Sequence, residues 1–294
     1  MFSSNLIIGH KNTLDTLVNL YYENNLPKKI LITGQKGIGK SLFVENFLNI
    51  IYSKSKNNIN IEKLISTNSH PNIFKIFKKK DSKNIDVQQI REMIKYQNLS
   101  SFNNNDRFIF IEDIENLNIN SSNALLKSLE EPNKNLYFLL TNNLGSKVLD
   151  TIKSRCLEFR LNLKLNEVEE IVNKYFNQNI YSNICVDYIN IYNSPSFLIS
   201  LINFFNDINK DISNFSIESL LNEIIHKKHY LSNDFIKNNL NLFIELFFYK
   251  NINRTNKITY NIKNYFYKKI SNINKFNLDF ESFFLEFEDK LLSE

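Results

Sequence analysis

The sequence predicts an α/β protein: a parallel sheet carrying a phosphate-binding loop, followed by a region of helices alone. Three observations carry the prediction. Residues 34–41 read GQKGIGKS and fit G-x-x-x-x-G-K-[ST] in full. Short apolar runs alternate with helical periodicity as far as Arg160. Beyond that residue the pattern is helical, broken by Asn-rich stretches.

The elements follow in order. Residues 29–33 (KILIT) are a short apolar run that flows into the glycine loop, as a buried strand does. Residues 41–52 place Leu42, Phe43, Phe47, Leu48 and Ile51 near helical spacing, so the loop sits between a strand and a helix. Residues 73–77 (IFKIF) predict a second strand. Residues 85–98 predict a helix with Val87, Ile90, Met93 and Ile94 on one face. Residues 108–111, 137–140 and 157–159 predict further strands. A helix is expected over 167–176 with Asn166 as its N-cap, and a loop at 193–196 (NSPS). The most apolar later stretches are 243–249 and 283–292. Boundaries near 162 and 207 give an α/β domain (1–162), a small helical lid (163–207) and an all-α C-terminal domain (208–294). No internal repeat is evident.

Composition narrows the class. A chain of 294 residues has room for two or three domains and a real core. Asn, Lys and Ile are enriched in many stretches, as an AT-rich coding sequence would produce, so single Asn and Lys residues carry little weight. The net charge of +5 permits contact with nucleic acid without requiring it. Lys78, Lys79 and Lys80 read as a solvated loop. Two cysteines, Cys156 and Cys185, form no disulfide framework and suit a reducing compartment. The start, MFSSNLIIGHKN, lacks a basic region followed by a long apolar stretch, and no apolar run approaches the ~20 residues a membrane span needs. A soluble, cytoplasmic protein without membrane contact is expected.

Several residues carry candidate chemistry. In the loop, Gly34, Gly37 and Gly39 let backbone N–H groups curl round phosphate oxygens, and the helix start adds a positive dipole end. Lys40 would reach the β- and γ-phosphates of ATP, and Ser41 would hold Mg²⁺. Glu112 and Asp113 end the strand 108–111. An acid there holds Mg²⁺ indirectly and its neighbour polarises the attacking water, which makes Glu112 the metal candidate and Asp113 the candidate base. The usual order is Asp then Glu. The reversal leaves the candidate base one methylene short, and misplacement by ~1 Å can cost ~100-fold in rate. Solvated strand-end acids are the alternative. Asn142 and Asn143 tip the next strand, where a polar side chain can sense a γ-phosphate or simply make a turn. Arg155 stands far along the chain from the loop and can supply charge to a neighbour's ATP, worth ~10³–10⁵ in rate where such fingers are known. A local salt bridge is the alternative. His226 and His229 have a metal-compatible spacing, but no acid or cysteine converges on them in sequence. Cys156 lacks a nearby histidine to activate it and reads as packing.

Residues 123–132 (NALLKSLEEP), followed by Ser154-Arg155-Cys156, resemble the clamp-loader ATPases of bacterial DNA polymerase III, part of the AAA+ superfamily. Ile8-Gly9-His10 is similar to the opening segment of that family. His70-Pro71-Asn72 with residues 85–91 (IDVQQIR) resembles the segment typical of its delta-prime subunit. The resemblance covers residues 5–162 well and the remainder weakly. It implies a subunit that helps load a sliding clamp onto primed DNA, with gamma/tau motor and delta subunits as partners and Arg155 as a finger in trans. It also implies a C-terminal collar. The motor subunits carry a four-cysteine zinc module, whereas residues 42–106 contain no cysteine, so no zinc site is expected. Ser196 stands where the motors carry a second-sensor arginine. Together with the reversed acids, this implies ATP binding with doubtful hydrolysis. Pro132 would stop the helix, leaving Glu130 and Glu131 at its unfavourable C-terminal end and suggesting an external basic partner. A self-sufficient motor ATPase is the alternative that intact Lys40 and Ser41 favour. A small-molecule kinase is a third reading, without a recognisable arginine-rich lid to support it.

Overall fold

The structure, a computed structural model, describes residues 8–53, 60–79, 82, 84–99, 105–130, 135–189, 193–251, 260–276 and 278–292. The chain divides into two compact units, Met1–Glu170 and Ile171–Glu294.

The first unit is built on five parallel strands: β1 (Lys29–Gly34), β2 (Ile73–Ile76), β3 (Arg107–Ile111), β4 (Leu136–Asn143) and β5 (Leu157–Leu161), in spatial order β2-β3-β4-β1-β5. The helices of this unit are α1 (Lys11–Tyr22), α2 (Lys40–Ser53), α3 (Ile61–Ser66), α4 (Val87–Gln97), α5 (Ile119–Glu130) and the short α6 (Asp150–Lys153), with the start of α7 (Leu165–Phe176). Every predicted strand is present. β4 is longer than its apolar run because Thr141, Asn142 and Asn143 continue in register with Ile32, Thr33 and Gly34 of the central strand β1.

Strand alternation sorts the core into two faces. Leu31, Ile109, Ile111, Phe138 and Leu140 pack with Ile90 and Met93 of α4 and Leu125 and Leu129 of α5. On the opposite face Phe108 stacks on Tyr137 and meets Phe47 of α2 edge-on, with Tyr21 of α1 alongside. Helix α4 starts at an Asp86–Gln89 capping box, so Ile85 and Asp86 precede it rather than open it. Asn166 is not the N-cap of α7. The helix begins at Leu165, so Asn166 lies inside it, and the Glu167 side chain reaches back to accept from the N–H of Lys164, the residue just before the helix, at 2.7 Å. Glu131 and Pro132 lie outside the described residues, as does Lys80.

The second unit contains the rest of α7, then α8 (Val186–Ile189), α9 (Pro195–Asp207), α10 (Ile217–His226), α11 (His229–Ser232), α12 (Asp234–Asn251), α13 (Tyr260–Phe276) and α14 (Glu281–Phe287). The expected loop at 193–196 is the start of α9: Ser194 is its N-cap, Pro195 occupies the first turn, and Ser196 is exposed inside the helix. Phenylalanines fill the core, with Phe243, Phe247 and Phe248 of α12 buried and Phe266, Phe283 and Phe287 packed around them. Helix α9 ends at Asp207, yet Phe197 and Phe205 contact Phe243 and Phe215 across that point. No described helix is long and apolar enough to cross a membrane.

Candidate functional site

The strand order explains where the site forms. β1 has β4 and β5 as neighbours, neither adjacent to it in sequence, so its carboxyl end opens at a switch in strand order, the place where open parallel sheets bind ligands. β1 ends at Gly34 beside Asn143, and β3 ends one residue before Glu112. Parallel register therefore carries the loop, the acids and the asparagines to one edge.

The loop geometry requires its glycines. Gly39 has φ of +93°, a region that penalises a Cβ. A Cβ on Gly34 would stand 2.8 Å from the Leu161 carbonyl. His10, buried beneath, donates from Nε2 to the Ile38 carbonyl at 3.1 Å and sits edge-on to Phe43. Burial pushes its ring below the ordinary histidine value, leaving a neutral prop for the loop.

Lys40 folds back into the protein. Its Nζ donates to the carbonyls of Gly34 (3.3 Å) and Gln35 (3.1 Å) and to Asn143 Oδ1 (2.6 Å). Burial pushes its pKa down, with Asp113, Glu115 and Glu112 opposing. Ser41 Oγ donates to the Glu112 carboxylate in a short contact. Lys75 Nζ lies 3.9 Å from the other Glu112 oxygen and 2.7 Å from Glu45. Ser41 and Glu112 thus form a pair of hard oxygen donors next to the loop, the donor chemistry Mg²⁺ takes, and the residues fit that ion.

Asp113 adopts φ of +49° and its N–H donates to Thr141 Oγ1 at 2.9 Å. Its carboxyl is pushed up by burial, then by the neighbouring Glu115 charge, with Lys40 opposing. The two strand-tip asparagines separate by alternation. Asn142 continues the Phe138–Leu140 face, is buried, and accepts from Ser146 Oγ at 2.6 Å. Asn143 continues the α2 face and is the one that meets Lys40. Glu115 was not singled out in sequence. It lies in a one-turn 3₁₀ segment after Asp113 and accepts from both the backbone N–H and the side-chain amide of Asn143. Its only sequence signal was a third acid two residues beyond a strand-end pair.

Arg155 stands apart from this cluster, immediately after α6. Its side chain is 34% exposed and pairs with Glu130 Oε1 at 2.6 Å. Glu130, expected to await an external basic partner, has one in its own chain. Burial pushes the Cys156 thiol up to about 11, away from nucleophilic use. His226 lies 3.4 Å from Glu288, while His229 packs edge-on to Phe204, so the two rings diverge. Among the described residues no group of three or more His, Cys, Asp or Glu could hold a metal ion.

Five parallel strands in this order, with a complete phosphate loop at the switch and acids on the adjacent strand tip, define a nucleotide-binding domain of the AAA+ class. The chain belongs to the DNA polymerase III, delta subunit family, which matches residues 9–164. It is 35% identical over 95 residues to the DNA polymerase III delta-prime subunit of Pseudomonas aeruginosa, covering 32% of this chain and 29% of that protein. It is 34% identical over 175 residues to the delta-prime subunit of Buchnera aphidicola subsp. Schizaphis graminum, covering 57% and 52%. The chain therefore spans about half or less of the length of these relatives. The same Buchnera carries a DNA polymerase III gamma subunit that is 29% identical over 169 residues, covering 55% of this chain and 45% of that protein. In fold, the chain is similar to a gamma subunit-related protein of Thermotoga maritima, with a TM-score of 0.53 at 15% identity, covering 93% of this chain and 96% of that one.

Proposed function

We propose that this chain is a delta-prime-type subunit of a DNA polymerase III clamp loader. It assembles with gamma/tau motor and delta subunits in the cytoplasm and helps place a sliding clamp on primed DNA. It binds ATP on the loop, with Gly34, Gly37 and Gly39 framing the phosphates, Lys40 released toward them, and Ser41 and Glu112 holding Mg²⁺. When bound, the ion would neutralise phosphate charge. Arg155 leaves Glu130 to reach a neighbour's ATP. Residues 163–207 act as a lid, and 208–294 form the collar that joins the subunits.

The observation that carries this reading is the contact of Ser41 with Glu112 beside Lys40, inside the stretch that matches the family. Reversed acids and an exposed Ser196 support binding without efficient turnover by the isolated chain. The test is primer- and clamp-stimulated ATPase of the reconstituted loader with Arg155→Ala. A fall of ~10³ with assembly intact is expected. Unchanged turnover would leave Arg155 structural. The competing reading, a self-sufficient motor, is favoured by the complete Lys40–Ser41–Glu112 set, and steady turnover by the purified chain alone would establish it.

A further inference from the structure

Asn143 has four hydrogen-bonding positions on its side chain, and its neighbours dictate how they are used. Lys40 Nζ can only donate and an ionised Glu115 can only accept. The amide therefore has one orientation: Oδ1 toward Lys40 at 2.6 Å, Nδ2 toward Glu115. The backbone N–H of Asn143 is held by the same carboxylate, 3.3 Å from Oε1 and 3.4 Å from Oε2. Both donors that a strand-tip asparagine could offer to a terminal phosphate are thus directed at the Glu115 carboxylate. What faces the loop lysine is an oxygen, which attracts the lysine and repels phosphate.

We propose that Glu115 is a positioning residue that locks the Asn143 amide away from the terminal phosphate, so the site binds nucleoside diphosphates and triphosphates with similar affinity. The inference rests on the nucleotide-binding reading and deepens it: the loop and Lys40 hold the phosphates common to both ligands, while the group placed to read a third phosphate is committed elsewhere. A hydrogen bond from a neutral amide to a charged phosphate is worth about tenfold in affinity, which is the discrimination forgone. The Asn143–Lys40 bond also gives the lysine a resting partner that phosphate must displace.

The test uses the full chain with Mg²⁺ and two probes, ATP and ADP, titrated calorimetrically. ATP and ADP dissociation constants within about threefold of each other are expected for the unchanged chain, and Glu115→Ala should raise the preference for ATP by about tenfold. Glu115→Gln, which keeps the shape and one acceptor, should fall between and serves if the alanine variant does not fold. The second readout needs no nucleotide: hydrogen exchange of the Asn143 side-chain amide, followed by NMR, should be slow in the unchanged chain and faster in either variant. A tenfold preference for ATP in the unchanged chain overturns the proposal, as does an ATP:ADP ratio that neither variant moves. Unaltered amide exchange overturns the lock itself. Failure of the unchanged chain to bind either nucleotide overturns the nucleotide reading and the discrimination with it, and the exchange measurement keeps that failure distinct from a failure of the lock.

Discussion

Arg155 Nη2 lies 2.6 Å from Glu130 Oε1, and Arg155 Nη1 donates to the Thr151 carbonyl at 2.9 Å. The guanidinium is thereby parked on the last residue of α5, whose carboxylate would otherwise face the negative end of its own helix. Both side chains are substantially exposed, so water screens the pair. A double-mutant cycle with Arg155→Ala and Glu130→Ala, read by urea unfolding, should give a coupling of about 0.2–1 kcal/mol. That is small enough for a neighbouring subunit's phosphates to outbid. A coupling above about 2 kcal/mol would make Arg155 a structural tie and argue against a finger.

A different ion group should dominate the stability of the helical unit. Lys250 of α12 donates to Asp187 of α8 at 2.7 Å and to Glu218 of α10 at 2.6 Å, so three helices converge on one ammonium. Lys250 and Asp187 are 18% and 12% exposed, little enough for a stranded carboxylate to be costly. Lys250→Met is expected to destabilise this unit by about 2 kcal/mol, below the 3–5 kcal/mol of a fully buried pair. Replacing the pair Lys250 and Asp187 together by apolar residues should recover part of that loss. A change under about 0.5 kcal/mol in the single variant would contradict the assignment.

Acid should act on the C-terminal helices through Glu286. Lys269, Lys290 and Tyr265 all hydrogen-bond its carboxylate and hold it down to about 2 from its ordinary 4.5. A depressed carboxylate stabilises the fold above its unfolded value, and that contribution is lost as pH falls from 4.5 through about 2. Solvent screening reduces the effect to about 1 kcal/mol. Glu286→Gln should therefore unfold at lower urea than the unchanged chain at neutral pH, and the gap should close as pH approaches about 2. A gap of constant size across that range would assign the difference to packing.

The sheet and the loop were legible because strand burial and glycine spacing are local signals. KILIT running into GQKGIGKS needs no tertiary knowledge. Which of Asn142 and Asn143 meets Lys40 depends on which face of β4 meets α2, and adjacent identical residues carry no clue to that. Glu115 is not legible in the sequence because its partner lies 28 residues away and the 3₁₀ turn that aims it follows from a left-handed Asp113. In sequence His10 is only the end of Ile8-Gly9-His10, and its bond to Ile38 exists only once the chain folds α1 back to the loop. Asn166 has the residue type of a cap, but the helix starts one residue before it, and the local contact is Glu167 accepting from the Lys164 N–H.

Asp113 offers a test of how the acid cluster balances charge. Its carboxyl is raised by burial first and by Glu115 second, while Lys40 and the Asn143 hydrogen bond pull it down. The sign follows from linkage. With the folded value above the unfolded one, the stability of the protonated form is fully present below the unfolded value and is lost as pH rises through the folded one. At neutral pH the charged Asp113 is therefore a net cost to the nucleotide-free fold. Asp113→Asn should raise the melting temperature at neutral pH, with the gain shrinking as pH falls into the carboxylate range. Phosphate adds to the same cost, because an anion on the loop repels a charged Asp113 and favours a neutral side chain. ATP affinity of Asp113→Asn should accordingly rise while any residual hydrolysis falls. Stabilisation without a gain in affinity would place Asp113 outside the reach of the phosphates.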